Sequence, residues 1–143
     1  MLESCVMLYE IGRLDMGLSL LFFLQNSLGI QVLDACCSEE QKQRFLPDLV
    51  NLRKYSCFCL TEPDGGSDAT GGMQTTAKKV EGGYVLNGSK RWPGNSVIAD
   101  YSIVWAKNES DGNKIQGFIV EKGSKGHSAR PIPNKVIARV VQK

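Results

Sequence analysis

The chain is poor in the groups that build metal centres. It has one histidine, His127, and five cysteines, Cys5, Cys36, Cys37, Cys57 and Cys59, without the paired spacings of a zinc site. No metal ligand set is expected, and an odd thiol count fits a reducing compartment better than a disulfide framework. Adjacent Cys36 and Cys37 read as small apolar residues at a helix end, with redox sensing as the sharper alternative. An excess of one charge is also missing. Seventeen Lys and Arg against fifteen Asp and Glu leave a formal net charge of +2, and no basic run interleaves with aromatics. Nucleic acid is therefore not an expected partner. The most apolar stretch, Leu18 to Leu33, is interrupted by Ser19, Gln25, Asn26, Ser27 and Gln31. It reads as a core helix, too short and too polar to cross a bilayer, and no membrane partner is expected. Met1 to Cys5 lacks the cationic start of a secretory signal, so no N-terminal address is legible.

What remains is an ordinary globular composition, 42% hydrophobic and 22% charged over 143 residues, enough for a real core. Met7, Leu8, Ile11 and Leu14 recur at helical spacing, and a second apolar helix follows to about Ala35. Ser38 and Gln41 form a capping-box pair, with Glu39 and Glu40 suited to the positive helix end, and Pro47 marks the end of that helix or a kink near it. After Arg53 the pattern changes. Cys57–Leu60, Thr75–Val80, Tyr84–Leu86, Tyr101–Ala106 and Gln116–Val120 are short β-prone runs, with a hairpin turn at Glu81-Gly82-Gly83 and a longer polar loop over Asn108–Asn113. The expected fold class is α+β: a helical part over residues 1–54, then a small antiparallel, barrel-like β part over 55–143.

Between the first two β-runs lies Thr61-Glu62-Pro63-Asp64-Gly65-Gly66-Ser67-Asp68. Pro63 fixes a turn, Gly65 and Gly66 permit close backbone approach or positive φ, and Thr61 and Ser67 offer hydroxyl donors. Such a loop suits phosphates or a polar ring edge. A plain β-turn capped by Asp64 and Asp68 is the alternative.

The order Leu60-Thr61-Glu62-Pro63 with Gly66-Ser67-Asp68, then Asn87-Gly88 and Lys90-Arg91-Trp92, resembles the flavin-binding region of acyl-CoA dehydrogenases and acyl-CoA oxidases. Ser38 to Pro47 is similar to the helix preceding that region, and Gly117 to Gly123 to a later strand and turn. The likeness runs from about Leu14 to Arg139. It implies the end of an N-terminal helical domain and the central β-domain, with the C-terminal helical bundle absent. It also implies FAD as cofactor, an acyl-CoA substrate, a homotetramer as the assembly, and formation of trans-2-enoyl-CoA in fatty-acid β-oxidation. By this resemblance Thr61 bonds the flavin ring, the backbone of Phe58 to Leu60 lines the same face, Gly66 and Ser67 meet the pyrophosphate or the pantetheine, and Trp92 packs on the isoalloxazine. A simple core tryptophan is the alternative for Trp92. The family's catalytic glutamate lies in the C-terminal helices, so no catalytic residue is assigned and the isolated chain is expected to show no turnover. An inactive piece acting only as a binding or interaction module is the second reading.

Two positions depart from the dehydrogenase pattern. Gly94 stands where those members resemble Trp-Ile-Thr or Trp-Ile-Ser and donate a hydroxyl to flavin N5. A glycine there removes the donor, opens volume for oxygen, and resembles the plant short-chain acyl-CoA oxidases, which implies a peroxisomal address, a mitochondrial one being the alternative. Pro93 replaces an ordinary apolar residue and loses an N–H. Ser19 occupies the place where glutaryl-CoA dehydrogenases carry an arginine for the distal carboxylate, so a neutral acyl chain is expected. Gly83 to Lys90 imitates a phosphate loop with Ser and Lys reversed and on a hairpin, and His127 reads as a solvated turn residue.

Overall fold

The computed structural model describes residues 2–69 and 71–135. Two polar residues punctuate its helical part. The Asp15 carboxylate accepts the Leu18 N–H at 2.7 Å and starts α2 (Met16–Phe23), separating it from α1 (Leu2–Leu14). Ser38 starts α4 (Glu39–Val50) through the expected reciprocal pair: its hydroxyl accepts the Gln41 N–H at 3.3 Å, and its own N–H donates to Gln41 Oε1 at 3.0 Å. Pro47 lies inside the end of α4, where its carbonyl accepts the Asn51 side-chain amide at 2.7 Å.

Between these caps, α2 continues through a π-helical stretch, Leu24–Ile30, into α3 (Gln31–Cys36). The combined helix, Met16–Cys36, has 21 residues and a hydropathy of 1.4. It is thus long and apolar enough to match a membrane span, contrary to the expectation from the shorter Leu18–Leu33 run. Polar contacts build it into the fold. Gln25, 2% exposed, accepts the Ser56 N–H at 2.9 Å and its hydroxyl at 3.1 Å, and donates to the carbonyls of Leu49 and Lys54. Four partners satisfy a buried amide that would otherwise cost about 1–3 kcal/mol per lost group. One turn on, Gly29 lies so near Ser56 that any Cβ would overlap its Oγ.

The sheet is organised around β4 (Tyr101–Asn108). On one side β5 (Lys114–Glu121) runs antiparallel along its whole length, from Tyr101↔Glu121 to Asn108↔Lys114. The other side takes β1 (Ser56–Cys59) in parallel against Tyr101–Val104, then β2 (Thr76–Val80) in parallel at Lys107 and Asn108. β3 (Gly83–Asn87) closes the order as the hairpin partner of β2, turning at Gly82 with φ 79°. The sheet is therefore mixed, which corrects the all-antiparallel expectation. Side-chain alternation has the same period in both pairings, and the connections leading to β4 from β1 and β2 are long enough to return in parallel.

Alternation along β4 sorts the two faces. Tyr101 and Ile103 meet Leu33, Phe45 and Leu49 from the helices, with Phe45 edge-on to Tyr101 at 5.0 Å. Ser102 and Val104 point the other way, into a cleft of about 1000 Å³ bounded by β3, β5 and residues 124–130.

Candidate functional site

The loop after β1 bends at Pro63-Asp64. Glu62 donates its N–H to the Gly65 carbonyl at 2.9 Å, and the Gly65 N–H returns at 3.4 Å. Neither Gly65 nor Gly66 has positive φ, so the expected left-handed conformation is not what selects them. Protein packing does not select them either, since a Cβ on each would find its nearest atom only at 4.0 Å. Gly66 and Ser67 are exposed, and the loop is bare on its outer side.

Beneath that loop Glu62 is buried, and the segment after β3 comes to meet it. Glu62 Oε1 and Lys90 Nζ stand 2.9 Å apart, each side chain 8% exposed, and Lys90 also donates to the Leu60 carbonyl at 3.0 Å. The Glu62 carboxylate further accepts the N–H groups of Gln74 at 2.6 Å and Thr75 at 2.8 Å, and the Thr75 hydroxyl. The Arg91 N–H donates to the Thr61 carbonyl at 2.8 Å. Burial alone raises the Glu62 pKa, but hydrogen bonds from the Thr75 hydroxyl, the Gln74 N–H, Lys90 and the Thr75 N–H outweigh it and bring it to about 2. A carboxylate so occupied is a fixed anion and a poor base. Two motifs that the sequence places some thirty residues apart are one clamped unit, and Glu62, read from the sequence only as a motif residue, is its hub.

Beyond the clamp the chain turns sharply. Trp92 has φ 69° and Asn95 φ 67°, left-handed values that a bulky aromatic rarely adopts. Trp92 is 46% exposed and its ring carries the Arg91 guanidinium 4.7 Å from its centre, so it is not a core tryptophan. Arg91 Nε, Asn95 Oδ1 and Ser96 Oγ are buried without hydrogen-bond partners. Gly94 is buried, and the volume expected to be open beside it is filled: a Cβ there would overlap Leu24 Cδ1 from the π-helical stretch.

The Phe58 ring packs 5.7 Å from Trp105 within the helix-facing core. Leu60 is tied through its carbonyl to Lys90. Ser19 gives its hydroxyl to the Leu8 carbonyl at 2.8 Å, joining α2 to α1. His127 is half-buried on the cleft with Nε2 3.4 Å from Ser102 Oγ, and so is more than a solvated turn residue. Of the likeness that runs to Arg139, residues 136–139 lie outside the described residues. Among the described residues, no group of three or more His, Cys, Asp or Glu could hold a metal ion.

Helices packed on one face of a mixed sheet, with an open loop clamped to a strained tryptophan turn, define an α+β protein. The chain belongs to the acyl-CoA dehydrogenase family: residues 1–53 match its N-terminal domain and residues 57–141 its middle domain. It is 36% identical over 129 residues to the mitochondrial isovaleryl-CoA dehydrogenase of Arabidopsis thaliana, covering 89% of this chain and 31% of that protein. It is 48% identical over 101 residues to a probable acyl-CoA dehydrogenase of Bacillus subtilis, covering 69% of this chain and 16% of that one. Among solved structures it resembles glutaryl-CoA dehydrogenase from Mycobacterium smegmatis, with a TM-score of 0.82, 37% identity, and coverage of 90% of this chain and 32% of the other. An acyl-CoA dehydrogenase from Bacillus anthracis, solved with FAD, matches with a TM-score of 0.65 and 44% identity, covering 73% of this chain and 18% of its own. The chain spans about a third of the length of the Arabidopsis relative.

Proposed function

We propose that this chain supplies part of the FAD- and acyl-CoA-binding surface of an enzyme that oxidises acyl-CoA to trans-2-enoyl-CoA in fatty-acid β-oxidation. The observation that carries this reading is the clamp, which sets Thr61 beside Arg91 and Trp92 and leaves Gly66 and Ser67 bare. The donor set suits FAD: neutral hydroxyls and backbone N–H groups hold a pyrophosphate without burying another full charge, and glycines free of any φ or packing demand let it come close. When bound, FAD supplies the hydride acceptor. In this reading the backbone of Phe58 and Leu60 and the Thr61 hydroxyl orient the ring, Trp92 covers it, and Gly66 with Ser67 receives the pyrophosphate or the pantetheine. The buried, unpartnered Ser96 Oγ and Asn95 Oδ1 beside Gly94 are polar groups awaiting a partner.

Gly94 has no hydroxyl to offer, which favours an oxidase of the plant short-chain kind over a dehydrogenase. Leu24 occupies the adjacent volume, so oxygen access at this edge depends on the Leu24 rotamer. Ser19 in place of an arginine favours a neutral acyl chain. The relatives from Arabidopsis thaliana, Solanum tuberosum and Oryza sativa carry mitochondrial names, which favours the mitochondrial alternative over the peroxisomal address that the oxidase likeness implies. The assembly proposed for the whole enzyme is a homotetramer, with residues 1–54 and 55–143 as its helical and middle-domain portions.

The test is flavin retention: the purified chain is incubated with FAD, desalted, and its visible spectrum recorded. A retained, shifted flavin band is expected. Free flavin eluting from soluble, folded protein contradicts the proposal that these residues hold FAD.

A further inference from the structure

Behind the loop, Cys57 and Cys59 occupy alternate positions of β1, so both side chains leave the same face of the strand. Their sulfurs are 3.5 Å apart and in hydrogen-bond contact. Cys57 Sγ donates to Ser102 Oγ at 3.2 Å, and Ser102 is in turn 3.4 Å from His127 Nε2. Cys59, Ser102 and His127 line the cleft, so Cys59, 6% exposed, is the sulfur reached from it, and Cys57, 2% exposed, lies behind.

We propose that Cys57 and Cys59 form a paired-thiol site that captures monosubstituted trivalent arsenicals, compounds that bond two sulfurs at one soft atom. Two sulfurs bonded at about 2.3 Å to a common pyramidal centre, with an angle of about 100°, stand roughly 3.5 Å apart, close to the observed pair. A disulfide fits less well. Residues two apart on a strand have Cα atoms about 6.6–6.8 Å apart, at the long end of the disulfide range, and the sulfurs would have to close to about 2.05 Å while β1 stays paired to β4. Zinc is disfavoured as well, since it asks for four ligands and no group of three stands among the described residues.

The capture step balances as a condensation. Two arsenic–sulfur bonds form, the arsenic–oxygen bond of the arsenous oxide breaks, both thiol protons leave with that oxygen as water, and no electrons are exchanged. The hydrogen bond from Cys59 lowers the Cys57 pKa against the effect of burial, with Ser102 helping. Cys59 is pushed well up, by that same hydrogen bond first and by burial second, and both thiols must bond the arsenic for the ring to close.

Cys36 and Cys37, exposed and half-buried, are a competing adjacent pair, and the experiment must separate them. The full chain is treated with phenylarsine oxide, washed with a monothiol, alkylated, and its cysteines mapped by peptide mass spectrometry. The expected result is about one arsenical per chain, released by a dithiol, with Cys57 and Cys59 protected from alkylation, and the same adduct in a C36S/C37S variant. In that background C57S and C59S should each lose the monothiol-resistant adduct. Protection at Cys36 and Cys37 alone, or alkylation of Cys57 and Cys59 at the untreated rate in folded protein, overturns the proposal without any variant at the site.

Discussion

Glu62 and Trp92 belong to the two joined motifs, yet the fold treats them in opposite ways. Around Glu62 the carboxylate is fully served, by two backbone N–H groups, a hydroxyl and an ammonium. Around Trp92 the backbone sits at φ 69°, the ring is half out in solvent, and three neighbouring polar atoms are buried with nothing to bond. Strained residues persist where the surroundings over-determine them, and such strain collects at binding edges. The contrast separates a frame from a working edge: Glu62 and Lys90 hold the geometry, and the turn from Trp92 to Ser96 carries unspent polar capacity.

The frame depends most heavily on Lys90. Lys90→Met leaves the Glu62 charge buried without its cation and is expected to destabilise the chain by about 3–5 kcal/mol in urea unfolding. A loss below about 1 kcal/mol would mean that the pair behaves as an exposed one.

Acid sharpens the same point without a mutation. The folded pKa of Glu62, about 2, lies below its ordinary value of 4.5, so its contribution is complete above about pH 4.5 and disappears as pH falls through about 2. The difference is worth on the order of 3 kcal/mol. Urea midpoints at pH 7 and pH 3 should differ less in Glu62→Gln than in the parent chain. An identical acid dependence in both would place the sensitive carboxylate elsewhere.

Much of the frame could be read locally. The Ser38–Gln41 box, the Gly82 turn and the positions of the five strands depend on neighbours within a few residues, and the structure has all of them. Strand direction could not be read, because parallel β1 and β2 alternate as antiparallel strands do. The centrality of Glu62 was equally hidden, since a glutamate before a proline reads as a turn residue until Lys90 arrives from the second motif. Gly94 shows the same limit. Its missing side chain suggests space, and only the fold reveals that Leu24, seventy residues earlier, fills it.

That packing gives a smaller effect. Gly94→Thr is expected to cost about 1–3 kcal/mol by overpacking against Leu24, and Leu24→Ala in the same chain should recover part of it. Strict additivity of the two changes would show that they do not touch.

The smallest expected change in stability lies at the edge itself. Trp92→Gly relieves a left-handed backbone worth about 1–2 kcal/mol and removes a half-exposed ring, so thermal stability should stay within about 1 kcal/mol of the parent while retention of FAD falls. A large loss of stability would make Trp92 part of the frame and erase the distinction.

The most direct test of the frame and its edge is amide hydrogen exchange, residue by residue, on the flavin-free chain. The Gln74 and Thr75 N–H groups, held by Glu62, and the Arg91 N–H, held by Thr61, should exchange only through large-scale opening, far more slowly than the exposed amides of Gly66 and Ser67. Fast exchange at Arg91 and Thr75, on the timescale of Gly66, would show that the two motifs are not joined before a ligand binds, and the clamp would have no place in the account.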